Sequence, residues 1–379
     1  MTKLYLLVFS LLILSPKGKA QNTFNYDGQL LGVANWSPQN DARGLLNSRY
    51  LPELNYNWKL DSTQNWYFEA SANAHGSAFF YKNDSVHIEG KIKFYRIWTR
   101  FSGKQYEIRL GLQKIDFGSA MVLRPLQWFN EIDPRDPLSI TNGVNAVLGR
   151  YYFLNNANIW IWALYGNQDP RGFDLEKSFK KDPEFGGRFQ YPVPKGELAL
   201  SYHHRTADAS DLTDNPDFTQ IPENRIALDG KWDVGVGLWF ESSIVEKSIN
   251  IGEFTHQTLV TLGMDYTFGL GSGLNVMAEH FIFGYDQNHI GFASTYNASA
   301  LRISYPLGFF DNLSMFGTYS WESQAASFFL NYQHSFKKLT GFFMTYYTPK
   351  TALNMGNEES KFISSFAGPG LRVMLVFNH

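Results

Sequence analysis

The sequence predicts an all-β chain: a transmembrane antiparallel β-barrel of eighteen strands, sixteen being the neighbouring even count, with one long loop folded into its mouth. Three observations carry that prediction. Apolar and polar residues alternate with a period of two over segments of about nine residues or more, longer than the roughly five or six of soluble strands. Charged residues make up only 18% of the chain and aromatic residues 17%, yet no apolar run is long enough to cross a bilayer as a helix. Short and long connections also alternate along the chain, the order that periplasmic turns and external loops impose on a barrel.

The first twenty residues stand apart from this pattern. Lys3 gives a basic start, residues 4–14 are mostly apolar, and Gly18 and Ala20 are small, which describes a secretory signal peptide cut after Ala20. Residues 21–379 are then expected to form a single outer-membrane barrel domain. The chain has no cysteine, so disulfide frameworks and thiolate chemistry are excluded. The formal net charge of −2 says nothing about nucleic acid, and no basic cluster suggests it as a partner.

The first strand sets Phe24, Tyr26, Gly28, Leu30, Gly32, Ala34 and Trp36 against Asn25, Asp27 and Gln29. In the second, Tyr50, Pro52, Leu54, Tyr56, Trp58 and Leu60 alternate with Arg49, Leu51, Glu53, Asn55, Asn57 and Lys59. The third opposes Trp66, Phe68, Ala70 and Ala72 to Asn65, Glu69, Ser71 and Asn73. A helix cannot use such a period. Further strands follow over 86–101, 105–115, 143–154, 158–165, 185–191, 197–205, 223–232, 234–244, 257–268, 273–283, 298–305, 313–321, 325–334, 339–347 and 370–377.

With both termini periplasmic, every second connection should be short, and 61–64, 102–104, 155–157, 192–196, 233, 269–272, 306–312 and 335–338 are. The others, 37–48, 116–142, 166–184, 206–222, 245–256, 284–297 and 348–369, are longer and polar, with 81–85 and 322–324 the brief exceptions. The glycine-rich piece at 269–273 joins two strands and reads as a tight turn, not a phosphate cradle. Trp58, Trp66 and Trp232 flank predicted periplasmic turns, where an interfacial aromatic girdle sits. The last strand points Leu371, Val373, Leu375 and Phe377 at lipid and resembles the C-terminal signature strand of outer-membrane proteins, here followed by Asn378 and His379.

The candidate functional residues lie on the inward faces of the early strands and on the connection 116–142. Lys91 and Lys93 point inward, as do Arg96 and Arg100 if a bulge shifts the register after Phe94, then Arg109 and Arg150. Such a wall concentrates positive potential in a channel and favours anions. The competing reading is that these arginines pair with Glu89, Glu107, Asp116 and the acids of the loop, and satisfy buried charge. Arg205, Arg225, Lys231 and Arg302 extend the inward basic set, diluted by Asp229, Asp265 and Glu279. The loop mixes Asp116, Arg124, Glu131, Asp133, Arg135 and Asp136 with Trp128 and Phe129, and Pro125, Pro134 and Pro137 stiffen its path. Rings of that size need burial, which favours a constriction inside the barrel over a plain external loop.

Following an alternating strand, Gly111, Gln113, Gly118, Pro125, Trp128 and Asn130 resemble the pattern of the alginate-export family of outer-membrane barrels, over about thirty residues. The resemblance implies an eighteen-stranded, anion-conducting channel with a charged, loop-constricted lumen. The family carries arginine where this chain has Leu112.

Catalysis finds little support. His203, His204, Asp208 and Asp211 lie close in sequence, but neighbours on a strand face opposite sides, so one histidine is expected in the lumen and the other at the lipid interface. No serine sits in a nucleophile elbow, and neither a cofactor nor a metal is implied. The lysines of 177–182 read as a solvated external loop. The expected function is a passive or facilitated channel for small or polymeric, anionic solutes. Outer-membrane lipid and the barrel-assembly machinery are the expected partners. The alternative is a closed scaffold whose external loops bind a partner.

Overall fold

A computed structural model describes residues 22–213, 216–349 and 368–379. The expected signal segment 1–20 and nearly all of the connection 348–369 lie outside them. The strands are β1 (Thr23–Trp36), β2 (Ala42–Lys59), β3 (Asn65–Tyr81), β4 (Val86–Ser102), β5 (Tyr106–Gln113), β6 (Val144–Tyr152), β7 (Asn158–Leu164), β8 (Glu184–Val193) and β9 (Gly196–Asp208). They continue as β10 (Ile221–Asp233), β11 (Gly237–Lys247), β12 (His256–Phe268), β13 (Leu274–Asp286), β14 (Ser294–Pro306), β15 (Asp311–Ser320), β16 (Ala325–Ser335), β17 (Leu339–Thr348) and β18 (Gly368–Asn378). Each pairs antiparallel with its sequence neighbour, and β1 pairs with β18 from Gln29↔Asn378 to Trp36↔Leu371, so the eighteen strands close into a barrel without an edge. Closure is completed by Gly28 and His379, whose backbones exchange N–H···O bonds of 3.1 and 3.0 Å.

Alternation sorts the side chains. On β4, Ile88, Ile92 and Phe94 face outward, each more than two-thirds exposed. On β18, Leu371, Val373, Leu375 and Phe377 face outward while Arg372, Met374 and Val376 are buried inside. The bulge in β4 lies where the sequence requires it: Phe94 pairs with Ala72 and Arg96 with Ser71, leaving Tyr95 as the extra residue. At the end where the sequence places the periplasmic turns, Trp58 stacks on Trp66 at 6.5 Å and Trp232 on Phe240 at 6.0 Å, outward rings at the positions expected of a girdle.

Most strand ends differ from the sequence expectation by one to four residues, and two connections change in kind. The connection 37–48 shrinks to 37–41, because β2 begins at Ala42. The alternation fails there for a physical reason: Leu45 faces inward onto Tyr346 and Phe79, while its neighbour Leu46 is exposed on the outer face, so both sides are apolar. The turn placed at Asp233 falls at 234–236, where Gly235 takes a φ of 93° and Asp233 accepts its N–H. The interior is not uniformly polar. Leu31, Val33, Phe342, Met344, Met374 and Val376 form an inward apolar cluster, and it is covered by Leu138 from the long loop.

Candidate functional site

At the end of β5 the wall turns into a crossing segment. Gly111 has a φ of 120° and lies so close to β4 that a Cβ would run into the Ile97 carbonyl. Two residues on, Gln113 donates to the Ala146 carbonyl at 3.0 Å and holds the departure point on β6. Gly118, with a φ of 108°, packs against the Glu241 carboxylate where a Cβ would not fit. Beyond it the chain spans the interior.

The far wall receives the tip through carboxylates. Glu241 on β11 accepts the backbone N–H groups of Ala120 (2.7 Å) and Leu126 (3.1 Å). Glu279 on β13 accepts those of Met121 (2.6 Å), Val122 (3.0 Å) and Leu123 (2.7 Å), and Trp239 Nε1 donates to the same group at 2.9 Å. Ser119 Oγ donates to Asp229 at 3.1 Å, and Thr261 Oγ1 donates to the Leu123 carbonyl at 2.5 Å. A crossing segment has no strand ladder, so its buried backbone donors need partners, and the carboxyl oxygens of Glu241 and Glu279 supply them.

Aromatic packing fastens the segment behind the tip. Trp128 and Phe129 are 2% and 1% exposed, and Trp128 Nε1 donates to Ser243 at 3.3 Å. Phe117 stacks on Trp162 at 5.6 Å and meets Trp128 edge-on at 5.7 Å. Burying each such ring stabilises the docked loop by roughly 2–3 kcal/mol. Arg124 binds Asp116 at 2.7 Å, with Lys114 3.1 Å away on its other side. Burial alone would raise the Asp116 carboxyl, but Arg124, Asn130 and Lys114 outweigh it and hold it below the ordinary carboxylate range. Its contribution is therefore present at neutral pH and is lost only as the pH falls through that lowered value.

The return limb lies against the opposite strands. Arg135 grips Asp133 with two bonds of 2.8 and 2.6 Å, its guanidinium 5.8 Å from the Phe329 ring of β16. Asp136 accepts the N–H groups of Leu138 (3.0 Å) and Ile140 (3.2 Å), yet burial pushes its carboxyl up. Arg96 donates to the Thr141 carbonyl at 2.8 Å and Lys93 to Asn142 at 2.9 Å, returning the chain to the wall at β6.

Of the inward arginines, Arg109 and Arg150 share one carboxylate, Glu107, at 2.9 and 3.0 Å. Arg150 lies 3.6 Å over the Trp160 ring and Arg100 5.2 Å over Tyr67. Glu131 stands at the edge of a cavity of about 150 Å³ left between the loops and the β14–β16 wall. Val122, Leu123 and Phe173 line it on the loop side; Tyr296, Phe316 and Phe329 line it on the barrel side, with Asp133 and Arg135 at its rim.

A second segment, 165–183, also enters the barrel. Its Lys177–Ser178 pair adds to β9 opposite Ala207 and Asp208, and Ser178 is buried, which corrects the expectation of a fully solvated loop over 177–182. Lys177 does reach solvent and pairs with Asp211. Asp174 and Glu176 meet Arg205, Arg225 and Lys247 from the wall, with Glu223 between them. Arg171 binds Glu184 at 2.6 Å, and the same carboxylate faces His203 Nε2 at 3.2 Å. Phe173 stacks on Phe281 at 4.8 Å. His203 faces this interior, while His204 faces outward and meets Asn224 at 2.9 Å.

Sequence reasoning brought the loop residues to one place but missed their receptors. Glu279 and Asp229 were legible only as acids diluting a basic wall, and Glu241, Glu223 and Asp174 carried no local signal. Only β13 offered a clue: Glu279 stands on an inward face otherwise made of Met277, Phe281 and Phe283, and an acid there needs a donor. Arg302 does face the lumen and is exposed there, and Lys231 pairs with Glu197 at 2.9 Å.

No protein-family model matches the chain, and no curated protein matches it. Solved structures do. OccD3 (OpdP) of Pseudomonas aeruginosa superposes with a TM-score of 0.61 at 10% identity, over 97% of this chain and 95% of that one. OmpF of Salmonella typhi, in a complex with daunomycin, gives 0.52 at 10% identity over 94% and 98%. An anion-selective porin from Comamonas acidovorans gives 0.51 at 12% identity over 95% and 100%. At such identities the shared property is architecture: the chain has the barrel of an outer-membrane porin.

Proposed function

We propose that this chain is a bacterial outer-membrane channel that passes small, anionic solutes by diffusion through the constriction made by 114–143. The observation that carries the reading is the crossing loop: Glu241 and Glu279 fasten its tip to the far wall, so it narrows the lumen and leaves the cavity against β14–β16 as the route. The outward apolar belt supports a lipid surrounding, and assembly there would use the barrel-assembly machinery. An enzyme is disfavoured because His203, the one inward histidine of the His203–His204 pair, is sealed at 0% exposure.

Anion preference rests on charge balance along β4–β6, where Glu107 serves two guanidiniums and Arg100 adds a third. The likeness of 111–130 to alginate-export channels supports an acidic solute, without an inherited polyuronate site, because Leu112 replaces the family's arginine. Selectivity is tested by Arg109→Glu with Arg150→Glu, combined with Glu107→Gln so that the two new carboxylates do not also face the native one. In a planar bilayer under a salt gradient, the anion-to-cation permeability ratio is expected to fall by about threefold or more. An unchanged reversal potential removes these residues from the mechanism.

A further inference from the structure

We propose that the external rim carries a divalent-metal site built by Glu246, His256 and His289, with donors suited to Zn²⁺. Glu246 is the last residue but one of β11 and His256 begins β12, where the two are direct cross-strand partners. Both lie on the outward side, since the inward residues of β11 are Glu241, Ser243, Val245 and Lys247. His289 comes from the connection 287–293, and local chemistry brings it back to the wall. Asp286, opposite His256 on β13, accepts the backbone N–H groups of Asn288 (2.8 Å) and Ala293 (3.2 Å). Phe292 then lies against Gly284, where a side chain would displace it.

The result places His289 Nδ1 2.8 Å from Glu246 Oε1 and the two imidazole centroids 4.3 Å apart. One donor atom from each of the three residues lies within 4.8 Å of the other two. A second, independent observation points to a ligand. His256 is only 8% exposed, and its Nδ1 is buried with no hydrogen-bond partner. A buried polar atom left unpaired is costly, of order 1–3 kcal/mol, and a metal-bound ring offsets that cost.

Two imidazoles and one carboxylate form a nitrogen-and-oxygen donor set of the kind zinc accepts, leaving a fourth position for water. Tetrahedral donors about 2.0–2.1 Å from zinc stand roughly 3.3 Å apart, so the 2.8 Å pair must open and the wider separations, up to 4.8 Å, must close. Rotation of the exposed His289 provides that. Bound metal would staple 287–293 to the strand ends of β11 and β12 on the outer face, away from the lumen. The three positions share no spacing motif, which is why the sequence alone implied no metal here.

The test is calorimetric titration of the folded, detergent-solubilised chain with zinc chloride, beside His289→Ala, Glu246→Gln and, as a control, His334→Ala. One zinc per barrel with micromolar affinity is expected, weakened about tenfold or more by H289A and E246Q and unchanged by H334A. Zinc should also raise the temperature at which the folded barrel is lost in the unmodified chain and not in H289A. The absence of saturable binding up to millimolar zinc overturns the proposal. So does binding that H289A and E246Q leave intact, or that H334A weakens equally.

Discussion

Glu279→Ala is expected to raise single-channel conductance about twofold and to turn a steady current into a flickering one. Its carboxylate accepts three consecutive backbone N–H groups of the loop tip and the indole N–H of Trp239. Removal strands four donors in an apolar setting formed by Val122, Leu123, Phe281 and Met277, at roughly 1–3 kcal/mol each. That exceeds what burial of two aliphatic side chains returns, so the tip detaches and samples the lumen. Glu279→Gln keeps an accepting oxygen and should act in the same direction but more weakly. A planar-bilayer recording of the three proteins checks the order; equal conductance in all three would place the loop outside the conducting path.

Arg205→Ala should be the most destabilising single change, lowering the heat resistance of the folded barrel and loosening the segment 165–183. Arg205 is fully buried and binds Glu223 at 2.6 Å and Asp174 at 2.8 Å, with Glu176 3.8 Å away. Losing one partner from such a buried network costs about 3–5 kcal/mol, because carboxylates remain without compensation. The expected readout is a drop in the temperature at which the compact band disappears on a heat-modifiability gel. Arg205→Ala with Glu223→Gln should recover part of the loss, since one stranded charge is removed. Unchanged heat resistance in R205A would mean that the network contributes nothing to holding the second loop.

The legible part of this protein was the part governed by a strict period. Outward faces such as Leu371, Val373, Leu375 and Phe377 alternate because lipid demands it, and the register change at Tyr95 was readable because the arginines beyond it would otherwise face lipid. Legibility ended where the interior itself becomes apolar. Leu45 and Leu46 erase the alternation at the start of β2, and Leu31, Val33 and Met374 point inward because Leu138 covers them. The loop's aromatic residues announced a need for burial, but their receptors, Trp162, His203 and Ser243, lie on other strands that no local signal ties to the loop. Nothing local in the sequence marks Glu241 as an acceptor for a loop, and Glu279 is marked only by the apolar inward neighbours Met277, Phe281 and Phe283. The same limit hid the second segment, whose acids Asp174 and Glu176 look like ordinary surface residues until Arg205, Arg225 and Lys247 are brought beneath them.

The central claim is that solute passes between the crossing loop and the β14–β16 wall. The absence of cysteine from the chain makes a direct test available, because one introduced thiol is the only one present. Thr318→Cys and Ser327→Cys place a thiol on the barrel side of the cavity, opposite Val122 and Arg135. Attachment of a bulky, thiol-reactive reagent to either position, followed by single-channel recording, is the measurement. A current reduced to a small fraction of its unlabelled value is the predicted result, whereas full current through a channel verified by mass to be labelled would contradict it.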